Sequence, residues 1–118
     1  ARNQMAENYN KAFSSVEQLH IPEINQNSTH VYHQYTLRIH PLYRDPLIAY
    51  LNGKGIPNRI YYPIPLHKQK VFSKIVDSNY NFPNTNLLSA TCLSLPIHTE
   101  IENSSQKYII EQVLNFFK

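Results

Sequence analysis

Apolar residues recur along this chain with two different periods, and the changes of period divide it into elements. Met5, Tyr9, Ala12, Phe13 and Val16 fall at i, i+4, i+7, i+8 and i+11, one stripe of a 3.6-residue repeat, which predicts an amphipathic helix from Arg2 to Val16. No capping residue or turn precedes it, because Ala1 is followed at once by helix-compatible residues, so the chain reads as a fragment that starts within a helix. The polar stretch His20 to Thr29, with Pro22 and the cluster Asn25-Gln26-Asn27-Ser28, predicts a surface loop. The period then shortens to two. Val31, His33, Tyr35, Leu37 and Ile39 alternate with Tyr32, Gln34, Thr36 and Arg38, and the β-branched and aromatic content of the run predicts a strand.

The second half carries shorter signals. Asp45-Pro46 supplies a cap followed by a proline suited to a first helical position, with Leu47, Ile48, Tyr50 and Leu51 as the buried face and Gly53 or Gly55 as the stop. Arg59 to Tyr62 reads as a second strand, stopped by Pro63 and Pro65 because proline has no amide to give a ladder. A weak helical turn is expected over Lys68 to Ile75, and Asn84 can cap a short helix containing Leu87, Leu88 and Ala90. Cys92 to Leu95 reads as a third strand that ends at Pro96. Asn103 and Gln106 have the spacing of a capping box before a last helix whose apolar face is Ile109, Ile110, Val113, Leu114 and Phe117. Helices alternating with short strands predict an α/β or α+β domain, with helices packed on a small sheet.

Composition narrows the function. At 118 residues with 42% hydrophobic content, the chain has material for one core and no second full domain. One cysteine cannot form an internal disulfide, and two glycines are too few for a Gly-rich phosphate loop. No apolar run approaches the roughly 20 residues that cross a bilayer, and a polar start unlike a signal peptide suggests a soluble, cytoplasmic protein with no membrane partner. The net charge of +3 is scattered; its densest part is His67-Lys68-Gln69-Lys70 with Lys74. That short run reads as a solvated face, so no nucleic-acid partner is expected.

Reactive constellations are scarce. His30 and His33 would point to opposite faces of a strand, and His98-x-Glu100 has no third ligand at a metal-binding spacing, so no metal site is expected. Cys92 lies in an apolar stretch with no neighbouring cation to activate it, which suits a structural thiol. The segment Gly55 to His67 remains: two tyrosines at a strand end, then a proline-stiffened loop presenting a histidine. Stiffness before binding and rings with polar tips suit recognition of a sugar or a base, and suit a core edge equally well.

The same segment carries a resemblance. Tyr61-Tyr-Pro-Ile-Pro-Leu-His-Lys-Gln69 is similar to a motif in the C-terminal part of the DegT/DnrJ/EryC1/StrS sugar aminotransferases, fold-type-I enzymes that use pyridoxal phosphate. Asn3 to Asn10 resembles that family's interdomain linking helix, and His30 to Arg38 its first small-domain strand. Arg44-Asp45 with Leu51 to Pro57 resembles the next helix and its exit, and Cys92 to Glu100 with the closing helix completes the order.

The resemblance implies a short, mainly antiparallel sheet with flanking helices. Residues 1–20 would be the end of the linking helix and 21–118 the C-terminal small domain. It implies substrate-binding roles for Tyr61 and Tyr62, in a pair whose first member is often histidine in the family, and weaker ones for His67 and His33. Pyridoxal 5'-phosphate, its lysine and all catalytic groups would belong to a large domain absent from this chain, leaving these 118 residues inactive alone. The parent enzyme would be a homodimer that aminates a keto sugar nucleotide, with glutamate as the donor. The resemblance favours C3 of a UDP-linked 2-acetamido sugar or its uronate, in surface-polysaccharide synthesis. A stand-alone binding module is the alternative.

Overall fold

In a computed structural model that describes residues 1–72, 74, 75, 77 and 80–118, four helices flank one three-stranded antiparallel sheet. The elements are α1 (Arg2–Phe13), β1 (Leu19–His20), β2 (Tyr35–Ile39), α2 (Pro41–Gly53), α3 (Pro83–Thr91), β3 (Cys92–Leu95) and α4 (Asn103–Phe116). Strand order is β1-β2-β3, with Leu19 opposite Ile39 and with Tyr35, Thr36, Leu37 and Arg38 opposite Leu95, Ser94, Leu93 and Cys92. The small α/β architecture is the one expected from the alternation of periods.

The core lies where those periods converge. Tyr35, Leu37, Ile39, Leu93 and Leu95 are buried and meet Met5, Ala6, Tyr9 and Phe13 from α1, Leu47 and Leu51 from α2, and Ile109 and Val113 from α4. Thr36 and Ser94 pair on the opposite face through their hydroxyls at 2.8 Å. Every residue of β3 is buried, Ser94 included, whereas burial alternates along β2.

Several local expectations are corrected. The strand expected from Val31 begins only at Tyr35, because Tyr32 has φ +47 and is therefore out of the extended region; its ring stacks on His30 at 4.0 Å and is buried. Leu19–His20 pairs as a short strand, so the loop expected from His20 begins one residue later. Helix α2 starts a turn before Asp45: His40 caps it through its ring nitrogen, which accepts from Leu42 N–H, and Pro41 rather than Pro46 occupies the first turn. Pro46 lies inside the helix.

The exit of α2 is settled at Gly55. It has φ +70, its N–H reaches the Asn52 carbonyl at 3.0 Å, and Ile56 N–H reaches that of Leu51 at 2.9 Å, so a left-handed residue closes the helix. Arg59 to Tyr62 is no strand; only Arg59 bridges β3. Pro83 takes the first turn of α3, with Phe82 rather than Asn84 in the capping position, and Leu87 and Leu88 are about half exposed. The turn expected over 68–75 is short 3-10 helix at Leu66–Lys68 and Lys70–Phe72, and the rest falls partly outside the described residues.

The expected capping box of α4 does not form either. Gln106 is buried and spans to α1, where its amide donates to the Met5 carbonyl at 2.7 Å and its oxygen accepts from Asn8 at 2.9 Å. Tyr9 donates to the Pro96 carbonyl at 3.0 Å and Tyr35 to Asn10 at 2.8 Å, so α1 is bound to this domain along its length. Among the described residues, no helix is long and apolar enough to cross a membrane.

Candidate functional site

The segment after the α2 exit is held by main-chain bonds before any side chain acts. Arg59 N–H donates to the Ser94 carbonyl at 3.1 Å and Ser94 N–H returns a bond at 2.7 Å, fixing Arg59 against β3. Two residues on, the Tyr61 carbonyl accepts a weak bond from the Cys92 thiol at 3.9 Å, and the Pro63 carbonyl accepts from the Ser89 hydroxyl at 2.8 Å. The peptide between Tyr61 and Tyr62 is cis. Arg44, nearly buried on α2, completes the support by donating to the carbonyls of Ser89 at 3.1 Å and Cys92 at 3.5 Å. Bonds from β3 and α3, with Arg44 of α2 behind them, thus position three alternate residues, Arg59, Tyr61 and Pro63.

This support shapes two grooves that meet at Tyr61. The first, of about 210 Å³, has polar walls formed by His33, Gln34, Asn58, Arg59 and Tyr61 over an apolar base that includes Leu95 and Ile97. The second, of about 410 Å³, is mostly apolar and runs between Tyr62, Ile64 and Leu66 on one side and Leu88 and Ser89 on the other. Tyr62 is 73% exposed and Tyr61 43%, with their rings edge to face at 5.8 Å, so both side chains remain accessible.

Of the four residues singled out from the sequence, the structure joins three. Tyr61 and Tyr62 share the apolar groove, and His33 meets Tyr61 in the polar one although 28 positions separate them. His67 lines neither groove; its ring packs on Phe82 at 4.7 Å. Arg59 was missed as a site residue, and the available signal was its two-residue offset from Tyr61 in an extended segment. Gln34 and Asn58 carried no such signal.

Strong electrostatic perturbation lies elsewhere. Burial pushes the hydroxyls of Tyr9 and Tyr35 well above the ordinary tyrosine range, with Tyr32 and Tyr9 adding to the effect at Tyr35, and both are core residues. Cys92 is a free, buried thiol. Among the described residues, no group of three or more His, Cys, Asp or Glu side chains converges to hold a metal.

The arrangement is therefore equipped to bind and orient, with aromatic surface, amide groups and one guanidinium. All seven lysines are exposed, and among the described residues none lines either groove.

Solved structures with this fold define the class. The chain superposes on a DegT DnrJ EryC1 StrS aminotransferase from Brucella abortus with TM-score 0.86 and 31% identity, covering 98% of this chain and 30% of that one. The model of the DegT/DnrJ/EryC1/StrS aminotransferase family matches residues 1–114, and the chain belongs to that family.

Curated relatives agree in part. A "Pleiotropic regulatory protein" of Geobacillus stearothermophilus is 37% identical over 75% of this chain and 23% of its own length. A UDP-N-acetyl-3-dehydro-alpha-D-glucosamine 3-aminotransferase of Acidithiobacillus ferrooxidans is 36% identical over 70% of this chain and 21% of its own. A UDP-2-acetamido-2-deoxy-3-oxo-D-glucuronate aminotransferase of Pseudomonas aeruginosa is 33% identical over 80% and 25%. The chain thus spans about a quarter of the length of the curated relatives it matches.

Proposed function

We propose that this chain is the C-terminal small domain, residues 21–118 with the end of a linking helix at 1–20, of an enzyme that transfers an amino group to a keto sugar nucleotide. The meeting of the two grooves at Tyr61, with Tyr62 walling the apolar one, supports the reading, because ring surface beside polar groups suits recognition of a sugar nucleotide. The two named sugar-nucleotide relatives both act at C3 of a UDP-linked 2-acetamido sugar or its uronate. That substrate class is the one assigned here, with glutamate as amino donor and surface-polysaccharide sugars as the destination.

Pyridoxal phosphate supplies an electron sink for amino-group transfer when bound, and in this reading the remainder of a homodimeric, cytoplasmic protein holds it. Tyr61, Tyr62 and His33 bind and orient substrate, while His67 supports the loop from behind through Phe82. The 118 residues alone are inactive in this reading, which assigns every reacting group to the remainder of the protein.

Tyr62→Phe in the full-length protein tests the assignment. Loss of one neutral hydrogen bond is worth about 1 kcal/mol, so the Michaelis constant for the sugar nucleotide is expected to rise about fivefold with turnover nearly unchanged. Unchanged constants and an unchanged melting temperature would remove Tyr62 from the site.

A further inference from the structure

The polar groove has a charge pattern that sugar and base recognition leaves unused. Arg59 is its only charged wall residue, and among the described residues no acidic side chain lines it. No hydrogen bond or ion pair among those residues engages the exposed guanidinium. Its backbone, in contrast, is fixed by two bonds to Ser94, so the base of the side chain is held in place before a ligand arrives.

The neighbouring polar groups have separate occupations. Ser94 is paired with Thr36 through its hydroxyl, and the Asn58 amide donates to Asn52 at 2.9 Å and to the Ile56 carbonyl at 3.1 Å. His33 and Tyr61 line the same groove as Arg59, and among the described residues neither side chain has such a hydrogen-bond partner. A guanidinium carried on a fixed backbone, an imidazole and a phenol around about 210 Å³ match the donors that an oxyanion requires, in a space too small for a whole nucleotide sugar.

We propose that the groove of His33, Arg59 and Tyr61 is an oxyanion-binding subsite, in which Arg59 takes a phosphate of the nucleotide diphosphate or a carboxylate on the sugar. The proposal rests on the sugar-nucleotide reading above and adds to it a residue and a charge requirement. It makes Arg59 a binding and specificity residue, whose chemistry is a two-pronged hydrogen bond to an oxyanion. The adjoining apolar groove takes the uncharged part of the same ligand.

The test is calorimetric binding to the full-length protein, using UDP-N-acetylglucosamine, its uronate and dTDP-glucose as probes, with wild type, Arg59→Gln, Arg59→Lys and Tyr62→Phe. Arg59→Gln is expected to weaken binding on the order of tenfold at an unchanged melting temperature, and Arg59→Lys to weaken it less, since the charge survives without the planar fork. Equal weakening for all three probes identifies the diphosphate they share; weakening confined to the uronate identifies the sugar carboxylate. If Arg59→Gln does not fold, Arg59→Lys against wild type carries the same comparison. Binding kept within twofold in the Arg59 variants but weakened by Tyr62→Phe overturns the subsite and leaves the sugar-nucleotide reading standing. No binding of any probe by wild type overturns both.

Discussion

The Ser89 hydroxyl reaches from the last turn of α3 to the Pro63 carbonyl at 2.8 Å, and this bond ties a helix to the residue that follows Tyr62. Ser89 is in turn fixed by Arg44, which donates to its carbonyl at 3.1 Å. The loop that carries the two tyrosines is thus positioned from α2 through α3.

Ser89→Ala is accordingly expected to act on binding more than on folding. The bond is exposed, so its loss costs about 1 kcal/mol or less in stability, while the freed loop weakens sugar-nucleotide binding about threefold. Calorimetric titration beside thermal melting separates the two. A lowered melting temperature with unchanged affinity would make Ser89 a folding residue only.

Gln106→Ala is expected to destabilise the domain by about 2 kcal/mol, because it removes a nearly buried amide that serves both Met5 and Asn8 on α1. Urea denaturation should show a lower midpoint with an unchanged slope. Adding Asn8→Ala should cost less in the Gln106→Ala background than in wild type, since the two side chains share one bond.

Alkaline solution should unfold the domain through its core tyrosines. Burial raises Tyr9 and Tyr35, so above the ordinary value of about 10 the unfolded chain releases protons that the folded chain keeps. Stability is therefore full below about pH 10 and falls with rising pH by about 1.4 kcal/mol per unit for each tyrosine. Tyr9→Phe should roughly halve that slope, as read from urea midpoints between pH 9 and 11. An equal slope in the variant would show that Tyr9 does not titrate with unfolding.

Where pattern and burial coincide, the sequence was informative. Helix α1, strand β3 and the core face of α4 were legible because their apolar residues repeat at the period of the element they form. Tyr32 was not, since its place in an alternating run suggests extension and nothing local announces a positive φ. Asp45-Pro46 misled for a different reason: it forms a good local start, but Pro41 and the His40 cap begin the same helix earlier. Gln106 has capping-box spacing from Asn103, and a bond to α1 across 98 and 101 positions of sequence takes precedence. Of the site, the tyrosines were visible as residue types in a stiff loop, whereas the meeting of Arg59 with His33 depends on how β2, β3 and the bridge are laid side by side.

The single bridge between Arg59 and Ser94 also closes a boundary. Beyond β3 the sheet would otherwise offer a line of unpaired amides and carbonyls, the kind of border along which foreign strands stack into aggregates. Two bonds occupy it at Ser94, and Pro63 and Pro65 deny the continuing segment the amides that a growing ladder would need. At the other border, β1 is only two residues long. The segment that shapes both grooves therefore also guards the chain against strand-by-strand recruitment, and replacing its prolines would alter solubility as well as recognition.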